Sequence, residues 1–101
     1  MAYERIFGLE VVDQDGYTQY RKEMVPLMEA AGGTFRYDFD VARVLRAENR
    51  APINRVFVIQ FPTRADSEKF FADARYLEIR RRLFEPSVKA IVAIAEYELS
   101  P

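Results

Sequence analysis

Two stretches of the chain, Val56-Phe57-Val58-Ile59-Gln60-Phe61 and Val88-Lys89-Ala90-Ile91-Val92-Ala93-Ile94-Ala95, are apolar at both alternations of a strand. The remaining segments supply helix for only one face of a sheet. The other face therefore needs a covering from elsewhere, either a second subunit or a ligand. A length of 101 residues with 50% hydrophobic and 31% charged residues accommodates one globular domain, 1–101, with little stability to spare. Covering a bare sheet face by association would add to that stability.

Alternation from residue 3 to residue 12 predicts a first strand, with Arg5, Phe7, Leu9 and Val11 on one face and Glu4, Ile6, Gly8, Glu10 and Val12 on the other. Asp15 is the expected N-cap of a helix reaching about Ala31, whose apolar stripe is Tyr17, Tyr20, Met24, Leu27, Met28 and Ala31. Pro26 should kink it near Lys22, and Gly32-Gly33 should end it. A second strand, 34–45, puts Phe35, Tyr37, Phe39 and Val41 opposite Arg36, Asp38, Asp40 and Ala42. The polar segment 46–52 reads as a hairpin loop, and 53–61 as the third strand.

Thr63 followed by Asp66 marks a shortened capping box. Two short helices, 64–72 and 74–84, should follow before Pro86 closes the region and a last strand spans 88–99. On that strand Val92 and Ile94 fall on one face and Ile91, Ala93 and Tyr97 on the other. The order strand, helix, strand, strand, helix, strand predicts an α+β fold, the ferredoxin-like βαββαβ arrangement. Its four-stranded antiparallel sheet carries the helices on one face, because both crossovers are right-handed. Phe57, Ile59 and Phe61 then face the helices, whereas Val56, Val58, Val92 and Ile94 face another sheet.

The run Tyr17-Thr18-Gln19-Tyr20-Arg21, Pro26, the Gly32-Gly33 pair, Arg55-Val56-Phe57-Val58-Ile59-Gln60-Phe61-Pro62, and Tyr76 followed by Arg80 resemble the family called domain of unknown function thirteen-thirty, of the dimeric α+β barrel superfamily. The resemblance spans residues 16–97 and rests on order and spacing. It implies a ferredoxin-like protomer whose sheet packs on that of a second subunit, a dimeric α/β barrel, and it implies no particular reaction. Members usually carry Glu where this chain has Gln60, and a glycine-containing turn where it has Asp38-Phe39-Asp40-Val41. An amide neither ionises nor transfers protons usefully, so an activity resting on that acid would not carry over.

With no His and no Cys, the chain cannot build a Ser-His-Asp or Cys-His arrangement, a histidine-ligated haem or a typical zinc site. No cofactor is expected. A metal site from Asp38 and Asp40 would need Glu10, Glu96 or Glu98 as well, and an ion-paired strand face is the simpler reading. That face, with Arg36, Asp38 and Asp40, would look toward a partner's sheet. Arg80-Arg81-Arg82 reads as a solvated helix face with Glu78 pairing Arg82, and a formal net charge of -1 gives no general attraction to nucleic acid or anionic membrane. Glu4 precedes any apolar run, and no segment has the length of a secretory or membrane-spanning stretch, so a cytoplasmic location is expected.

Tyrosines offer the one positive signal. Tyr20, Tyr76, Tyr37 and Tyr97 could converge with Arg36 and Arg80 between helices and sheet, where phenols and guanidinium groups hold a small carboxylate or phenolic ligand. Tyr20, Arg36, Gln60, Tyr76 and Arg80 are the candidate ligand-binding residues. The alternatives are a dimerisation module whose tyrosines pack the core, and a cofactor-independent monooxygenase-like or isomerase-like enzyme by fold analogy.

Overall fold

The computed structural model describes residues 2–100. Its strands are β1 (Ala2–Val11), β2 (Thr34–Asp40), β3 (Arg55–Phe61) and β4 (Val88–Leu99), in the spatial order β2-β3-β1-β4 with every neighbouring pair antiparallel. Helix α1 (Gln14–Ala30) links β1 to β2. Helices α2 (Arg64–Ala72) and α3 (Ala74–Ile79), a π-helical turn (Arg80–Phe84) and the short α4 (Glu85–Ser87) link β3 to β4. This is the ferredoxin-like arrangement expected from the element order. Among the described residues no helix is long and apolar enough to cross a membrane.

The core lies between the helices and one sheet face. Phe7, Leu9 and Val11 of β1 and Phe57, Ile59 and Phe61 of β3 meet Tyr17, Tyr20, Met24 and Met28 of α1, with Phe70, Tyr76 and Phe84 from the second crossover. Gly32, at φ +87°, makes the turn out of α1 that an L side chain would strain. Thr63 caps α2 as expected: its hydroxyl accepts from the Asp66 amide at 3.1 Å and donates to the Asp66 carboxylate at 2.9 Å. The N-cap of α1, in contrast, is Asp13 and not Asp15. Asp13 has the extended backbone of a cap and accepts from the Gly16 amide.

The second strand is shorter than its alternation suggests. Val41 donates its amide to Asn54 O, and Asn54 holds the end of β1 through both side-chain polar atoms, Nδ2 to Val11 O and Oδ1 from Val11 N, each at 2.8 Å. Residues 41–54 form one long connection in place of a hairpin loop confined to 46–52. Within it Ile53 rests on Gly8, where an added Cβ would come within 2.8 Å of the Ile53 side chain. The connection thus covers the middle of the sheet's outer face with its own side chain.

Three register shifts decide which residues share a face; one, between Glu10 and Val11, leaves Lys89 as the extra residue and turns Val88 toward the core. Phe35 pairs with Ile59 but Tyr37 pairs with Val58, so Arg36 is the extra residue of a bulge. Ile94 plays the same part in β4, between Ala95 opposite Ile6 and Ala93 opposite Phe7. Beyond each bulge the side chains exchange faces. Tyr37 and Phe39 therefore lie on the outer face with Val58 and Val56, Asp38 turns to the helix side, and Tyr97 joins Val92 outside. The expectation that Arg36, Asp38 and Asp40 share a face is corrected accordingly.

Candidate functional site

Tyr20 enters the core from the middle of α1, and Tyr76, Arg80 and Phe84 follow at four-residue spacing from the second crossover. In an ordinary α-helix such a series drifts around the axis, because a turn takes 3.6 residues. The π turn, with the Glu85 amide donating to Arg80 O five residues back, widens the helix and reduces the drift. All three side chains consequently reach one cavity of about 220 Å³ between helices and sheet. Its walls include Phe7, Phe35, Phe57, Phe71 and Ile91, and its polar groups come from Arg5, Arg21, Arg80 and the tyrosines Tyr17, Tyr20 and Tyr76.

The Tyr20 and Tyr76 hydroxyls lie 2.8 Å apart, both side chains being buried. Burial, reinforced by the neighbouring Tyr76 phenol, pushes the Tyr20 hydroxyl well above the usual phenol range. Arg80 donates to Tyr76 Oη at 3.5 Å and stands 4.7 Å from the centre of the Phe84 ring. Arg80 has no carboxylate within ion-pair distance among the described residues. Arg21 is differently placed: it donates to Tyr17 Oη at 2.8 Å and forks onto Asp38, which also takes two hydrogen bonds from Arg55 at 2.7 and 2.8 Å. Burial would raise the Asp38 acid, but the hydrogen bonds and charges of Arg55 and Arg21 outweigh it and hold Asp38 below its ordinary value. Arg5 lies over Phe7 at 4.6 Å and reaches Glu96 only at 3.7 Å.

Three of the five candidate residues, Tyr20, Tyr76 and Arg80, thus meet in the cavity. Arg36 and Gln60 do not, and this corrects their expected place: they lie on the opposite face of the sheet. Gln60 alternates with the inward Ile59 and Phe61, and Arg36 follows the inward Phe35. There they surround Glu4, which is 2% exposed although it lies under side chains only. Arg36 donates to Glu4 at 2.5 Å, Gln60 at 2.9 Å and Tyr97 at 2.7 Å. Desolvation opposes ionisation of Glu4, but the bonds from Arg36 and Tyr97, with the Arg36 charge and Gln60, keep its carboxyl below the usual range.

Tyr37 stacks on Phe39 outside, 6.0 Å between ring centres, and takes no part in the cavity. No group of three or more acidic side chains able to hold a metal occurs among the described residues, and Asp38 is committed to its two arginines. The arginine run also divides. Arg81 pairs with Glu78 at 2.8 Å, Arg82 reaches Glu23 of α1 at 2.5 Å in place of the expected Glu78, and Arg80 points inward. Sequence reasoning did not single out Arg5, Arg21 or Glu4. Arg5 carried a signal nonetheless, as the one charged residue on the β1 stripe of Phe7, Leu9 and Val11.

Residues 2–97 match the family model described as "Domain of unknown function (DUF1330)". No curated protein matches the chain. Among solved structures, a protein of unknown function from Rhodopseudomonas palustris superposes with a TM-score of 0.78 at 17% identity, over 99% of this chain and 84% of that one. A hydroxynitrile lyase from Passiflora edulis gives 0.66 at 19% identity, over 98% and 94% of the two chains. A protein from Bacteroides fragilis, described as dimeric, of unknown function and ferredoxin-like in fold, gives 0.53 at 12% identity, over 97% and 96%. At such identities the likeness establishes the fold alone.

Proposed function

The chain belongs to the DUF1330 family, and on that premise we propose that it binds a small organic molecule bearing a carboxylate or phenolic group in the helix–sheet cavity. Arg80 carries the reading: a half-buried guanidinium turned into an aromatic-walled cavity, with no carboxylate partner among the described residues, is placed to meet something anionic or hydrogen-bonding there. The cavity, about 220 Å³, is below the roughly 300–1,000 Å³ typical of drug-sized ligands, so its occupant is small. A thermal-shift screen against small carboxylates and phenols tests this. A binder raises the melting temperature by mass action, and Arg80→Gln removes the rise. A screen in which no compound moves the wild-type melting temperature counts against it.

The same reading includes a homodimer joined through the outer sheet face. Tyr37, Phe39 and Ile94 are exposed on or beside that face, and Val56, Val58 and Val92 lie only partly covered. The Bacteroides fragilis protein of the same fold is described as dimeric, which supports this arrangement. Sedimentation at micromolar concentration decides it, and a stable monomer would sink the dimer.

A further inference from the structure

The hydrogens of the cavity can be counted. Two phenolic hydroxyls share one hydrogen bond, so whichever of Tyr20 and Tyr76 donates, the other keeps a hydrogen that the pair does not use. Among the described residues that hydrogen has no other acceptor within bonding distance, and its oxygen is deeply buried, Tyr20 being 4% and Tyr76 2% exposed. Arg80 adds a fork of N–H groups of which one is directed, at long range, to Tyr76. Acceptors are scarce by comparison. Tyr17 Oη is taken by Arg21, and no Asp, Glu, Asn or Gln side chain lines the cavity. The polar end of this space is therefore rich in donors and poor in acceptors.

We infer that the Tyr20–Tyr76 pair and Arg80 form an oxyanion-holding site, and that its occupant is a flat, apolar monocarboxylate rather than a neutral phenol or an amide. A carboxylate is acceptor-only and accepts the fork of a guanidinium and a phenolic hydrogen together. A neutral phenol or a primary amide brings hydrogens of its own, for which the cavity has few acceptors; left unbonded, they cost binding free energy. The ring-lined walls, Phe35, Phe57, Phe71 and Phe84, suit a planar apolar body. This inference rests on the cavity reading above and narrows it to one ligand class.

Calorimetric titration of the full chain with benzoate, benzamide and phenol tests it. Benzoate is expected to bind at least about tenfold more tightly than either neutral compound, the scale of one charge-assisted hydrogen bond. Arg80→Gln is expected to erase that preference. The double variant Tyr20→Phe, Tyr76→Phe removes both partners of the buried bond together, so it should fold with a melting temperature near the wild type while binding benzoate about tenfold more weakly. Benzamide or phenol binding within twofold of benzoate overturns the inference and leaves the broader ligand reading standing. So does a folded double variant that keeps wild-type affinity for benzoate. If none of the three compounds binds, the inference falls together with the cavity reading.

Discussion

The two faces of the sheet handle polar groups in opposite ways. On the outer face Glu4 is the centre of a closed set: Arg36, Gln60 and Tyr97 each donate to it. On the helix face donors outnumber acceptors around Tyr20, Tyr76 and Arg80, although that face is the better buried. Polar groups that complete their own hydrogen bonding stiffen a structure, whereas a surplus of one kind is a demand on something else. The contrast separates a face whose polar groups satisfy one another from one with donors to spare.

The largest expected effect is on the helix face. Phe61→Ala, at a fully buried position, should cost about 3–5 kcal/mol by denaturant unfolding, since the cavity it leaves cannot fully collapse. A much smaller loss would mean that the two faces differ less in packing than the burial indicates. Next, Val58→Lys on the outer face should turn the proposed dimer into a monomer while barely changing its far-ultraviolet circular dichroism, because a lysine buried in a sheet-to-sheet interface would be both unpaired and desolvated. An unchanged dimer would move the interface elsewhere.

Acid should probe both faces more gently. Glu4 and Asp38 are held below their ordinary values of 4.5 and 3.8, so their folded forms bind protons less readily than the unfolded chain does. The stability they contribute is complete above those values and is lost as pH falls through the depressed folded ones. Urea midpoints measured from pH 6 downward should therefore decline, and Glu4→Gln should flatten the upper part of that decline while Asp38→Asn flattens the lower. Two variants with wild-type slopes would show that neither carboxylate is coupled to folding. The smallest effect belongs to the paired substitution Tyr20→Phe, Tyr76→Phe, whose melting temperature should stay within a few degrees of the wild type; a large drop would make the phenol pair a structural bond.

Much of the fold was legible in the chain. Strict alternation in β3 placed Phe57, Ile59 and Phe61 on the helix side, and Thr63 with Asp66 announced the start of α2. The wider tyrosine cluster, with Tyr37 and Tyr97, was lost to two single residues. Arg36 and Ile94 look like ordinary members of alternating runs, but each is a bulge set by the partner strand's register, which no local pattern encodes. From there onward a period-two reading puts Tyr37, Asp38 and Tyr97 on the wrong side. Asn54 was equally invisible: its amide ends the β1 ladder by imitating a backbone group, and only the folded chain brings it to Val11.

The π turn at Arg80–Phe84 has a consequence for the tolerance of the whole crossover. Upstream, Tyr76 and Arg80 are tied to the cavity; downstream, Ser87 O accepts from the Val12 amide at 2.8 Å and from Asp13 at 3.3 Å, anchoring the other end to the start of α1. A helix strung between two fixed points must have a residue count that fits its span. The wide turn takes up the excess, so it acts as slack in a tether. Shortening it by one residue would swing one anchorage about 100° around the axis, at 3.6 residues per turn, and the chain could then keep its cavity wall or its docking at Ser87 but not both.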